Sequence, residues 1–490
     1  MGLLFLLAFG VRFYLFATQE CISKDGPVYI DVAQRFHEGD FRGALAVGYQ
    51  PLYPFLTSLL YPLLGDWIAA AQLVSILFSA LTVLPLFFLV RELFGGHPAW
   101  RSVALVTLFL FIFIPLPTRL SSQALTTGSA TFFLLTSVWL SVRAIATERW
   151  SAFAWATFAI LCGYLVRPDI LLLFPLLAGW VVWWSLRDFR NRRRKMCVAL
   201  STMVALFLLL AAPYIIHSMA SKGIAESLTS KVNIVIQKEE GEGGSAVGEF
   251  VGSLASTFFY WPLLFLLFGL IRRKELSARD PREWFVVAAL VLLLLLMFGL
   301  EVTRGYLSKR HMVPAVVLML PWVAVGMVEA VGCLRHPRWL TVAVVVGLLS
   351  FLPKTFDPLE RDKQGEREVG EWVRTNLACR EEEALTTAVR PWFYAFGNVR
   401  CVAEHTVYLR KRAKELSDYD SLAPYMAGKG VRYLIVDGSI EDSQPGLDPK
   451  FFEKLRADPR WRPLFETYKD PRKKKESSRI AVYEFIGEGR

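Results

Sequence analysis

The segment Ser23-Lys24-Asp25-Gly26-Pro27-Val28-Tyr29 sets a carboxylate beside an ammonium directly after the first apolar stretch, with a second acid, Asp31, close behind. A carboxylate at the mouth of a membrane helix is costly to keep and marks a functional site. In that setting Asp25 can take a proton from a hydroxyl, the work of a general base. Asp31 and Asp40 are the next carboxylates that could do so, and the plainer role for Asp25 is an interfacial ion pair with Lys24 or Arg35. Further along, Gly48-Tyr49-Gln50-Pro51-Leu52-Tyr53-Pro54 breaks the chain twice with proline before another apolar stretch. Between the two motifs, Asp31-Val32-Ala33-Gln34-Arg35-Phe36 repeats its apolar residues with a helical period and reads as an amphipathic helix at a membrane surface.

A second set of residues could balance negative charge. If a group departs as a phosphate, one base suffices, but positive charge must face the leaving group. Arg304, Lys309 and Arg310 with His311, and Arg167 beside Asp169, are the cations suitably placed at span ends. Snorkelling headgroup anchors and a structural Arg167–Asp169 pair are the plainer readings. The positive charge can come from Arg, from Lys or from a divalent cation, and no other cofactor is implied.

The elements that must position these residues follow from composition. Of 490 residues 54% are apolar and 14% aromatic, and the mean hydropathy is +0.38, the profile of a polytopic membrane protein. Apolar runs extend from Met1 to about Leu352, whereas no run from Pro353 to Arg490 reaches the ~18 residues needed to cross a bilayer. The expected organisation is therefore a membrane domain, 1–352, and a soluble domain, 353–490. By the ~20-residue criterion about eleven spans are expected, near 1–18, 67–90, 102–117, 123–142, 151–166, 170–186, 196–217, 250–271, 283–300, 312–334 and 339–352.

Positive loops stay cytoplasmic, and the dense Arg and Lys of 187–195 and 272–282 fall on one side if the spans alternate. That arrangement puts the Asp25 loop, the 218–249 loop and the soluble domain outside. The net charge of +11 is accounted for by these topology signals and needs no nucleic acid. The N-terminus lacks a basic leader and a small-x-small cleavage pattern, so a retained first helix is expected. The six cysteines show no metal-ligand spacing, and a Cys379–Cys401 disulfide is open in an oxidising compartment.

The soluble part reads as α/β. Expected strands lie at 383–387, 398–402 and 431–437, a helix at 392–396, and a terminal hairpin at 461–468 with 479–485. Lys469 to Lys475 reads as a solvated basic loop.

Arg12 in a first helix, then Lys24-Asp25-Gly26 with Tyr29, then the corner Tyr49-Gln50-Pro51-Leu52-Tyr53-Pro54, together resemble the GT-C glycosyltransferases. More narrowly they resemble the bacterial branch of protein O-mannosyltransferases and lipid A aminoarabinose transferases, and the likeness is sharp over residues 12–60. It implies a sugar donor on polyprenyl phosphate, a lipid, glycan or protein acceptor, and a place in the bacterial inner membrane. It makes Asp25 the base, sets Lys24 and Tyr29 at the site, and puts Gln50 and Pro51 at the donor. Gln50 stands where relatives carry His or Lys, and Gln123 where many carry Glu; an amide can hydrogen-bond a sugar hydroxyl but cannot ionise. Two other readings remain open: a lipid or glycan transporter, which should show internal repeats that this chain lacks, and an inactive scaffold of the same fold.

Overall fold

The computed structural model describes residues 1–186, 189–222, 246–272, 280–304, 308–333, 337–399, 419–438, 451–475 and 478–487. They form two compact units, one of Met1–Phe16 with Val32–Asp357, the other of Ala17–Asp31 with Pro358–Arg490. The division falls later than 352 because residues 351–357 are tied into the first unit. Phe351 stacks on Trp261 with ring centroids 5.2 Å apart, Thr355 Oγ1 donates to Phe113 O at 2.6 Å, and Arg119 donates to the carbonyls of Lys354 and Asp357. The loop after the first helix, by contrast, belongs to the second unit.

Among the described residues of the first unit there are helices and no strands. Among the described residues four helices are long and apolar enough to cross a membrane, Trp67–Phe94, Thr127–Thr147, Pro281–Thr303 and Lys309–Gly332, or five if a bent pair counts as one span. Shorter apolar helices include Gly2–Ala17, Leu52–Leu64, Trp100–Phe113, Trp150–Tyr164, Pro168–Trp183 and Val344–Thr355. Several expected spans are interrupted. The 102–117 run divides at Ile114, whose ψ of 124° is extended, because Pro115 bars helical backbone before it and offers no N–H to the ladder. The 250–271 run is a bent pair, Ala246–Thr257 and Pro262–Ile271, meeting at 99°. Phe259 and Tyr260 at the bend have φ of 62° and 66°, a strained choice for bulky residues.

The apolar bundle encloses a polar seam. Arg12 is fully buried, a position a guanidinium can hold only if its donors are satisfied. Its Nε donates to Ser79 Oγ at 2.5 Å, and its terminal nitrogens donate to Ala8 O at 3.1 Å and Phe111 O at 3.4 Å. It also lies 4.7 Å from the Phe111 ring centroid. Ser79 in turn donates to Ser121 Oγ at 3.0 Å, Gln72 to Ser122 O at 3.2 Å, and Ser75 to Leu125 O at 2.7 Å. The helix Trp67–Leu81 is thus stitched to the turn 121–126.

The second unit is α/β. Its four-stranded sheet runs β1 (Ala384–Thr386), β2 (Tyr433–Asp437), β4 (Arg479–Phe485), β3 (Trp461–Tyr468) in spatial order, with β1 parallel to β2 and the other pairs antiparallel. Central β2 and β4 are buried nearly throughout, as strands covered on both faces must be. Ile435, Ile480 and Val482 pack with Val369 and Val373 of helix Gln364–Asn376. Leu434, Val436 and Ala481 pack with Leu422, Met426 and Leu455 from Tyr419–Lys429 and Phe451–Ala457. The terminal hairpin lies where the pattern puts it, and the expected helix at 392–396 is Val389–Phe396. The expected strand at 398–402 is not one at Asn398 and Val399, and its other residues lie outside the described set. Lys469 departs from the solvated reading: it pairs with Asp437 at 2.8 Å and Glu366 at 3.3 Å.

Candidate functional site

Asp25 is held by its own loop. The Gly26 amide donates to Ser23 O at 3.1 Å, and the Asp25 carbonyl accepts from Val28 and Tyr29 at 3.2 and 3.3 Å, which starts helix Gly26–His37. Pro27 fits the first turn, where an N–H has no helical partner to lose. The helix N-terminus favours negative charge on the residue before it. Lys24 is exposed, Asp25 half-buried and Tyr29 buried. The other carboxylates are placed differently: Asp31 is buried, while Asp40 caps Phe41–Ala46 by accepting the Gly43 amide at 2.8 Å and lies 3.9 Å from Arg35.

Upstream, the loop is anchored to the α/β unit. The Ile22 amide donates to Tyr394 Oη at 2.8 Å, the Glu20 amide to Leu359 O at 3.0 Å, and Arg367 to Glu20 O at 3.4 Å. Cys21 and Ile22 are buried, and burial pushes the Cys21 thiol up to about 12. Behind Tyr394 lies a buried charge cluster. Arg390 reaches Glu360 at 2.9 Å and Glu366 at 3.2 Å, and Lys469 links Glu366 to Asp437. Burial opposes the charge on Lys469, but the adjacent Glu366 and Asp437 carboxylates prevail and raise its pKa. None of these partners was legible in the sequence.

In the first unit the proline corner is braced by three contacts. Leu52 N–H donates to Leu165 O at 2.9 Å, the Tyr214 hydroxyl to Tyr49 O at 3.3 Å, and the Tyr53 hydroxyl to Ala71 O at 2.8 Å. Pro51 precedes helix Leu52–Leu64, and Tyr49 and Gln50 are half-buried. Burial raises the Tyr49 phenol. Tyr53 is wholly buried and its hydroxyl lies 3.2 Å from Ser75 Oγ, so it braces the bundle. Gln123 is buried in the turn ahead of Thr127–Thr147.

The cations behave unequally. Arg167 and Asp169 form a two-pronged pair at 3.1 and 2.7 Å, and an Arg167 terminal nitrogen lies 3.1 Å from His311 Nδ1. Because a guanidinium can only donate, His311 accepts at Nδ1 and carries its proton on Nε2. Lys309 is exposed and Arg310 half-buried at the start of Lys309–Cys333. Arg304 ends Pro281–Arg304, and its side chain lies outside the described set. The 223–245 part of the long loop and Cys401 also lie outside it, and Cys379 has a free thiol. Among the described residues, no group of three or more His, Cys, Asp or Glu side chains could hold a metal.

A search of curated proteins finds no match to this sequence. Residues 49–217 match the sequence pattern of the family described as dolichyl-phosphate-mannose-protein mannosyltransferase. Among solved structures, ArnT from Cupriavidus metallidurans bound to undecaprenyl phosphate is similar at TM-score 0.64 and 13% identity, covering 100% of this chain and 99% of that one. ArnT from the same organism in the apo state is similar at TM-score 0.60 and 14% identity, covering 100% and 98%. The archaeal oligosaccharyltransferase AglB from Archaeoglobus fulgidus, in complex with an inhibitory peptide and a dolichol-phosphate, is similar at TM-score 0.58 and 11% identity, covering 98% and 73%. The chain is thus a multi-pass membrane protein with the fold of the GT-C glycosyltransferases, and its residues 49–217 carry the mannosyltransferase family's pattern.

Proposed function

We propose that this chain is an integral-membrane glycosyltransferase that moves a sugar from a polyprenyl-phosphate carrier to an acceptor hydroxyl on a lipid, glycan or protein. The observation that carries this reading is the likeness of fold, over the whole chain, to a structure holding undecaprenyl phosphate. The acceptor oxygen attacks the anomeric carbon, the bond from that carbon to the phosphate oxygen breaks, and the phosphate leaves with the electron pair. Asp25 takes the acceptor's proton, which is the only acid–base step needed because a phosphate is already a good leaving group. Arg167, Arg310 and the Nε2–H of His311 offer positive charge and donors to the departing phosphate. Lys24, Tyr29, Tyr49, Gln50, Pro51 and Gln123 are assigned to substrate contacts, with Asp169 orienting Arg167.

The reading places the protein in the inner membrane of a bacterium, with 353–490 and the Asp25 loop outside, because basic loops are retained in the cytoplasm. Purified Asp25→Asn protein with a polyprenyl-phosphate sugar tests the central assignment. Transfer should fall by a factor of roughly 10²–10⁴, the usual worth of a positioned base, with the protein still folded. Transfer within a few-fold of the parent would remove Asp25 from this role.

A further inference from the structure

Three observations join Asp25 to the α/β domain through a short mechanical path. First, the Ile22 amide, three residues before Asp25, donates to Tyr394 Oη at 2.8 Å. Second, the next residue after Asp25 lies directly on Ile22. A Cβ built on Gly26 would come within 2.7 and 2.8 Å of two Ile22 side-chain carbons and 3.0 Å from Ser23 Oγ. Ile22 itself is wholly buried, so a larger residue at Gly26 must displace either the packed Ile22 side chain or the start of the helix that follows Asp25. Third, Tyr394 is set by its own helix crossing. A Cβ on Gly370 would lie 2.4 Å from Pro391 O and 2.5 Å from Tyr394 Cβ, so Gln364–Asn376 and Val389–Phe396 touch backbone to backbone where Tyr394 emerges.

The charge cluster fixes the same helix from its other end. Arg390 is buried between Glu360 and Glu366, and Lys469 joins Glu366 to Asp437, the last residue of β2. Removing one member of such a cluster leaves a buried charge uncompensated, so the arrangement is rigid. A domain that served only as a cover would need none of this on the Asp25 side.

We propose that the α/β domain positions the catalytic base: Tyr394 is a positioning residue that clamps the Ile22 backbone and, through the Ile22–Gly26 contact, sets where Asp25 stands. This rests on the reading of Asp25 as the base. It gives the C-terminal domain a part in turnover, distinct from substrate recognition, and predicts that loosening the clamp changes kcat and leaves donor KM in place.

The test uses the full-length protein in two single-cysteine backgrounds. Cys21 alone reports the clamped loop: its thiol is buried and poorly ionised, and its own hydrogen bond with the Tyr394 hydroxyl holds its pKa down, so loss of that bond by itself would slow alkylation and only opening of the loop can quicken it. Cys379 alone reports the fold of the domain. In Tyr394→Phe, alkylation of Cys21 at pH 8 should quicken roughly fivefold to tenfold, the population change that follows loss of one ordinary hydrogen bond. Alkylation of Cys379 should be unchanged, and kcat should fall by a similar factor with donor KM unmoved. Gly26→Ala, which disturbs the Ile22–Gly26 contact while keeping the Tyr394 hydroxyl, should lower kcat in the same way. Transfer lost in Asp25→Asn but undiminished in Tyr394→Phe and Gly26→Ala overturns this inference alone. Transfer surviving in Asp25→Asn overturns the base assignment and this inference with it. Cys21 and Cys379 quickening together would make Tyr394 a packing residue of the domain and also overturn the proposal.

Discussion

Arg167 and His311 lie 3.1 Å apart although 144 positions separate them in the chain. Each was singled out in the sequence for its charge and its place at a span end, but nothing there joined them. The contact makes His311 an acceptor at Nδ1 and leaves its proton on Nε2. It also adds a constraint on Arg167 beyond the Asp169 pair. A turn-holding pair needs only the 2.7 Å contact to Asp169, whereas a phosphate-facing guanidinium needs a second constraint on its direction.

Arg167→Lys should therefore lower donor use by about 10- to 100-fold, since an ammonium keeps the charge but loses the fork that engages Asp169 and His311 together. Acceptor KM should not change. Steady-state kinetics with each substrate varied in turn check this, and an unchanged donor response would return Arg167 to holding the 168–172 turn.

Arg310→Ala should weaken donor use more than acceptor use if its guanidinium meets the lipid phosphate, by a factor near that of one charge-assisted hydrogen bond, about 10- to 100-fold. Equal donor affinity and turnover in the purified variant would leave Arg310 as a headgroup anchor.

Ser79→Ala should destabilise the bundle by about 1–3 kcal/mol, because the buried Arg12 Nε–H loses its 2.5 Å acceptor and is left without water to replace it. Thermal unfolding in detergent measures the change. Ser137→Ala, which removes only a hydroxyl that donates to its own helix at 2.6 Å, is the control and should be nearly neutral.

Legibility divided along physical lines. The hairpin 461–468 with 479–485 could be read because alternation and its bounding residues are local signals. The 99° bend at Phe258–Trp261 escaped the hydropathy pattern because the residues there are as apolar as those of a continuous span, although Pro262 directly after it is a local breaker. Asp25 was visible as a charge beside an apolar run. Its dependence on Tyr394, 372 positions downstream of Ile22, was not, because a backbone amide meeting a phenol leaves no trace in periodicity or composition. The Glu366–Lys469–Asp437 cluster was hidden by the basic run around Lys469, whose other members are exposed.

Asp458 supplies a pH dependence. Hydrogen bonds from Arg460 hold its carboxylate down at about 2, with Nε and terminal-nitrogen contacts of 2.6–3.0 Å and the Tyr419 hydroxyl at 2.8 Å. A carboxylate with a depressed folded pKa contributes stability that is complete above its unfolded value, near 4, and lost as pH falls towards 2. Asp458→Asn should therefore lower the melting temperature at pH 5, and the difference from the parent should shrink steadily between pH 4 and pH 2. A difference that stays constant across that interval would show that the ionised form is not what Arg460 and Tyr419 stabilise.

The side on which the α/β domain stands is open to direct measurement. Basic loops hold their side of a membrane in the cytoplasm, so with the runs at 187–195 and 272–282 inside, residues 353–490 are expected outside together with the Asp25 loop. Glu382 and Lys429 are exposed on the domain, and single cysteines there, in an otherwise cysteine-free chain, should react with a membrane-impermeant thiol reagent in intact cells. A cysteine at Arg194, within the first basic run and also exposed, should react only after lysis. If the pattern is reversed, the domain and its Asp25 loop face the cytoplasm, and the acceptor must be sought among cytoplasmic hydroxyls. If all three sites react before lysis, the bent pair 246–271 and the interrupted run at 102–117 do not cross the membrane in the expected alternation. The orientation of the chain would then rest on the four long helices alone.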